Sequence, residues 1–141
     1  MIESNLTVTA VDFRLNDATS DNYGVYVSYG ELTLNGCSFI GTTDDRIHYD
    51  MANSDYKDVN GAFLQVQEHS LVWVNGTTFF GGRGIYGGCV LLQGYSRLLI
   101  EHSDFNTCTA QYGGAIYANA HRSLHIYDSY FTNNFAFIGY G

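Results

Sequence analysis

The sequence predicts an all-β, single-domain chain wound into a parallel β-helix of about five coils. Three observations predict it: phenylalanines at a nearly constant interval, an apolar spacing of two within each repeat, and 16 glycines with no proline. Phe13, Phe39, Phe79, Phe105 and Phe131 mark the phase. Three of their four steps are equal, at about 26 residues. The step from Phe39 to Phe79 is longer, so that repeat contains 14 inserted residues. A period in the range of roughly 20–50 residues marks an array whose units bury their apolar faces only against one another.

Five segments end on these phenylalanines: LTVTAVDF (6–13), LTLNGCSF (32–39), VWVNGTTF (72–79), LLIEHSDF (98–105) and LHIYDSYF (124–131). Each has an aliphatic residue seven and five positions before its phenylalanine, and a small or β-branched one two before. The first pair predicts one short strand and the second pair another, with a bend between. A third strand is predicted ahead of them, in VYV (25–27), FLQV (63–66), CVLL (89–92) and AIYA (115–118). Three strands and three corners per repeat describe one coil. FLQVQEHSLVWV, the best candidate for another reading, alternates like a strand. Leucine-rich, hexapeptide and WD40 arrays would need other periods or signatures.

The corners follow from glycine. GGCVLLQGYSRLLIEHSDF (87–105) and GGAIYANAHRSLHIYDSYF (113–131) match in phase, with Gly87-Gly88 over Gly113-Gly114. Glycine reaches positive φ without a Cβ clash, so each pair is read as the turn into the third strand. Phenylalanines one coil apart then stack in a row at the inter-strand spacing of about 4.8 Å.

Bulk properties bound the partners. The chain has 141 residues, long enough for one real core, and 45% of them are apolar. Fourteen acids against six bases give a charge of −8, which argues against nucleic acid as a partner. No apolar run approaches the ~18 residues of a membrane span. The opening MIESNLTVTAV is polar and alternating, unlike a signal peptide. Cys37, Cys89 and Cys108 form no CxxC; the preferred reading is three small buried side chains, with one disulfide as the alternative.

GGAI at 113–116 and the FxxN pattern at Phe13-Asn16 and Phe131-Asn134 resemble the repeats of the chlamydial polymorphic outer membrane proteins, within the wider group of pectin-lyase-like right-handed parallel β-helices. The resemblance implies a right-handed coil, the usual hand of parallel crossovers, and an extracellular or cell-surface protein. The chain departs from the pattern at GGCV (87–90), and at Thr42, Gly82 and Cys108, where the family places asparagine.

The chemistry of the chain is sparse. The inserted loop TDDRIHYDMANSDYKDVN (43–60) gathers Asp44, Asp45, Arg46, His48, Asp50, Asp55, Tyr56 and Asp58. Paired carboxylates beside an arginine suit acid–base work on a sugar, and clustered aspartates suit Ca²⁺. A solvated loop is the plainer reading, and six basic residues make a poor groove for an acidic polymer. His48, His69, His102, His121 and His125 show no metal-ligand pairing on a predicted strand, so no metal and no cofactor are expected. Outward positions of the second strand are Thr7, Thr33, Trp73, Leu99 and His125. Trp73 and Leu99 fall on consecutive coils and form a candidate sugar platform or protein contact, unless a loop such as 43–60 lies over them. Tyr117, Tyr127 and Tyr130 are expected to face out. Asn5 and Asn75 head N-x-[ST] sequons, and both are expected to be exposed.

The terminal repeats are the remaining signal. Neither LTVTAVDF nor LHIYDSYF is flanked by a polar cap, so each leaves an apolar row and a strand edge open. The expectation is a non-enzymatic structural or adhesive module whose partners are neighbouring β-helical coils at both ends, with carbohydrate as a further partner. The rivals are a β-helical polysaccharide lyase or glycoside hydrolase using loop 43–60, and a carbohydrate-binding module using Trp73.

Overall fold

A computed structural model describes residues 4–14, 24–41 and 62–138, and these form a parallel β-solenoid of about four turns with a period near 26 residues. The strands run β1 (Ser4–Thr9), β2 (Asp12–Arg14), β3 (Val25–Ser28), β4 (Gly30–Asn35), β5 (Ser38–Ile40), β6 (Leu64–Gln67), β7 (Leu71–Asn75), β8 (Thr78–Phe80), β9 (Arg83–Tyr86), β10 (Val90–Leu92), β11 (Arg97–Glu101), β12 (Asp104–Asn106), β13 (Thr109–Tyr112), β14 (Ile116–Ala118), β15 (Ser123–Tyr127), β16 (Tyr130–Thr132) and β17 (Phe135–Ala136). They stack as four parallel sheets. Sheet A is β1-β4-β7-β11-β15, sheet B is β2-β5-β8-β12-β16, sheet C is β3-β6-β10-β14 and sheet D is β9-β13-β17.

Sheet D corrects the expected three strands per coil. In RGIYGG and TAQYGG the glycines and mixed polarity hide the alternation, yet Thr109 pairs with Arg83 and Phe135. The signal was present in the aromatics: Tyr86 and Tyr112 stand one repeat apart and their rings stack at 5.4 Å.

The inward rows are those the spacing predicts. Phe13, Phe39, Phe79, Phe105 and Phe131 form one ladder, with ring centroids 4.5, 4.8, 4.6 and 4.7 Å apart and planes within 9° of parallel. Leu32, Leu34, Val72, Val74, Leu98 and Ile100 form the adjoining rows. The insertion lies between β5 and β6: the stretch from Ile40 to Leu64 is far longer than the equivalent stretch from Phe80 to Val90.

Two devices set the coil corners. One is a left-handed row: Ala10, Gly36, Gly76, His102 and Asp128 occupy one position per coil, each with φ between 45° and 58°. The other is a hydroxyl ladder two residues before the last three of these phenylalanines, at Thr77, Ser103 and Ser129. Ser129 Oγ accepts from the Ser103 amide at 3.1 Å, Ser103 Oγ from Thr77 at 3.1 Å, and Thr77 Oγ1 from Cys37 at 3.4 Å. The same hydroxyls donate to the carbonyl two residues back. Amides that the corner turns away from the ladder are thereby satisfied in a dry interior, where an orphan costs about 1–3 kcal/mol. Asn134 of the FxxN pattern does the same work at the next corner, accepting from the Cys108 amide at 2.9 Å and donating to the Phe105 carbonyl at 3.0 Å.

The cysteine expectation is corrected. All three are buried, but Cys89 and Cys108 form a disulfide, with Cα atoms 5.6 Å apart, and Cys37 alone is a free thiol. Cys89 immediately precedes β10 and Cys108 lies in the corner after β12, 19 residues later, so one coil brings them together across its interior. Gly82 makes the room: a Cβ there would stand 2.5 Å from Cys89 Sγ and 2.3 Å from the Gly88 carbonyl oxygen. Gly87 (φ 70°) and Gly113 (φ 64°) hold the expected turns, and an added Cβ would meet the carbonyl oxygens of Val90 and Ile116 at 2.0 and 2.4 Å.

Candidate binding face on the outer side of sheet A

The outer surfaces of the sheets differ in access. On sheet C the outward residues Gln65 and Leu91 are 4% and 6% exposed, so that face is closed at its centre. On sheet A the outward side chains reach solvent, with Leu71 and Trp73 each exposed by about two-fifths (41% and 44%). Alternation along β7 and β11 produces this, because Val72, Val74, Leu98 and Ile100 take the inward positions and are buried.

Trp73 and Leu99 are direct neighbours in the β7–β11 register, as their spacing implies. The indole Nε1–H donates to Glu101 Oε2 at 3.0 Å, which restrains a ring that remains partly exposed to solvent. Leu99 is half-buried, and His125 continues the row on β15, exposed as expected. The expected cover, loop 43–60, lies outside the described residues, and so do Asp44, Asp45, Arg46, His48, Asp50, Asp55, Tyr56 and Asp58.

Of the two sequon asparagines, Asn5 is exposed, and its Nδ2 donates to Glu31 Oε2 at 3.4 Å. Asn75 departs from expectation and is half-buried. It sits in register with Asn35 and donates to Asn35 Oδ1 at 3.5 Å, while its own Oδ1 lies 3.4 Å from His102 Nδ1. An outward position on a solenoid has a rung above and below it, and a short side chain there is shielded by both. Tyr127 and Tyr130 are exposed, whereas Tyr117 tilts onto Tyr86 at 4.9 Å and is half-buried.

The structure also brings together a group that reading residues singly missed. Where sheet C turns into sheet A, Tyr29, His69 and Tyr95 project along one edge. The His69 ring lies 6.3 Å from Tyr29 and stacks within 12° on Tyr95 at 5.9 Å. Beside them Glu31, Leu71 and Arg97 occupy one row on three successive rungs. Glu31, His69, Leu71, Tyr95 and Arg97, with Ser70 and Arg122, line a cleft of about 210 Å³. The signal was the repeat interval itself, which relates His69 to Tyr95 and Leu71 to Arg97. Tyr29 Oη donates to Glu68 Oε2 at 3.2 Å, and this hydrogen bond, reinforced by the Glu68 charge, raises the phenol above its ordinary pKa.

No group of three or more His, Cys, Asp or Glu side chains converges among the described residues, and no helix among them is long and apolar enough to cross a membrane. Comparison of the chain with family models, with curated proteins and with solved structures finds no match.

Proposed function

We propose that this chain is a structural and adhesive β-solenoid module of the cell surface or extracellular space, whose terminal rows are continued by further coils of the same build. One observation supports this above others: the inward rows run in register to both ends of the described solenoid and are open there. Phe39, Phe79 and Phe105 are fully buried, whereas Phe131 is 44% exposed, Leu6 58% and Ile126 40%. An open β-edge with apolar rows pairs readily with another strand. A coil of the same register, in the same chain or in a neighbouring copy, would extend the phenylalanine ladder and pair β1 and β15 at once. The resemblance to surface-protein repeats points the same way. The Cys89–Cys108 disulfide fits a protein matured under oxidising conditions.

The test is association. Sedimentation velocity and electron microscopy of the 141-residue chain should show end-to-end stacks that grow with concentration. Lysine at Leu6 and Ile126 should disperse them by placing charge in the rows. A chain that stays monomeric at high concentration, with fast-exchanging amides in β1 and β15, would overturn the reading.

The adhesive part rests on the exposed Trp73–Leu71 surface, which suits the apolar face of a sugar or of a protein.

A further inference from the structure

The cleft at the sheet C–sheet A corner has the composition of a saccharide subsite, and its charges select the saccharide. We propose that it binds a sugar residue bearing one carboxylate or sulfate group. The inference deepens the adhesive part of the function proposed above and rests on it.

Ring-shaped ligands need a flat apolar surface, and the cleft supplies one. Tyr95 is its main element: one face of the ring stacks on His69, the residue is 65% exposed, and Leu71 beside it is 41% exposed. Sugar C–H groups pack against such faces, while the phenol and imidazole edges remain free for hydroxyls. At about 210 Å³ the cleft falls below the ~300–1,000 Å³ of drug-sized pockets, which suits one sugar ring and not a buried oligosaccharide.

The charges are ordered along the solenoid axis. Arg97 on β11 and Arg122 in the corner before β15 stand at one end, and Glu31 on β4 stands two rungs from Arg97, a separation of about 9.6 Å at ~4.8 Å per rung. Neither guanidinium is ion-paired or hydrogen-bonded through its side chain to any described residue. Glu31, by contrast, accepts from Asn5. Two forked cations next to each other at an aromatic edge match a carboxylate or sulfate. The distant Glu31 carboxylate can accept from sugar hydroxyls without facing the anion.

The net charge of −8 sets a limit on the ligand. A polyanion would meet the field of the whole molecule, whereas one acidic group feels mainly the two arginines within a Debye length of about 8 Å at physiological salt. The chemistry therefore favours a single acidic residue over a polyuronate.

The experiment is titration of the intact chain by NMR and calorimetry with four probes: methyl β-glucuronide, trigalacturonate, methyl β-glucoside and inorganic sulfate. The glucuronide should shift the resonances of His69, Leu71, Tyr95, Arg97 and Arg122. The neutral glucoside and sulfate alone should each bind about tenfold more weakly or not at all. Arg97→Gln with Arg122→Gln should remove the preference for the glucuronide over the glucoside. Tyr95→Ala should weaken both sugars about tenfold, and Tyr130→Ala, on sheet B, should change nothing. Unchanged circular dichroism shows that each variant folds. Sulfate binding as tightly as the glucuronide, or trigalacturonate binding more tightly through other residues, would overturn the proposal. So would glucuronide binding that survives all three substitutions. Stacking measured without sugar is unaffected by any of these results, so failure of this subsite is separable from failure of the structural role.

Discussion

Replacing Phe79 by alanine tests the ladder that holds the coils together. Phe79 is fully buried, and its ring is stacked between Phe39 at 4.8 Å and Phe105 at 4.6 Å. Removing a phenylalanine side chain from water contributes about 1.5–3 kcal/mol, and each stacked pair adds about 0.5–1.5 kcal/mol. Neighbouring rungs are held by backbone hydrogen bonds and cannot collapse into the gap, so a cavity cost remains. The total expected for Phe79→Ala is about 4 kcal/mol, in the middle of the ~3–5 kcal/mol range for phenylalanine truncations. Phe131→Ala is the internal comparison. It has one described stacking partner, at 4.7 Å, and is 44% exposed, so it should cost about half as much, near 2 kcal/mol. Urea unfolding followed by circular dichroism and by Trp73 fluorescence, at protein concentrations too low for stacking, measures both. Native-state hydrogen exchange covers the case in which the coils unfold separately, as repeat arrays do. A Phe79→Ala cost below about 1.5 kcal/mol, or equal costs for the two variants, would refute the argument that stacking within closed rows provides the stability.

Other perturbations probe the corners and the staple. Gly87→Ala should abolish protection of β10, because its Cβ would stand 2.0 Å from the Val90 carbonyl oxygen at φ 70°; Gly36→Ala meets nothing within 4 Å and should cost only about 1–2 kcal/mol of left-handed strain, both read by urea melts and exchange. Ser103→Ala should cost about 1–3 kcal/mol and expose the Thr77 amide to exchange, since that donor loses its acceptor. Reducing the Cys89–Cys108 bond, which closes a segment of 19 residues, should lower stability by about 3 kcal/mol in melts with and without reductant. For Tyr29 the neutral phenol is the favoured form, so its contribution is fully present below the ordinary tyrosine pKa of about 10 and is lost as pH rises through the higher folded value; Tyr29→Phe should remove that alkaline loss in pH-dependent melts.

The sequence by itself determined the solenoid. A period-two apolar pattern phased by one phenylalanine in every repeat permits only short strands stacked in register, because any other register would turn Leu32, Leu34, Phe39 and their equivalents out to water. It also determined the glycine corners, the outward Trp73–Leu99 pair and the place of the insertion. The rest depended on where the backbone passes in three dimensions. Sheet D was hidden because RGIY and TAQY lack strong strand propensity and are held by their neighbours' ladders. Pairing Cys89 with Cys108 needed the coil to close, since 19 residues of sequence say nothing about two positions facing each other across an interior. Asn75 was expected in solvent, and the rungs on either side shield it. The cleft formed by His69, Tyr95, Arg97 and Arg122 likewise appears only when strand and corner residues from three rungs meet. A repeat fixes what lies above and below each residue along the axis. What lies beside it, across a corner or through the interior, is decided by the path of the coil, which no local pattern encodes.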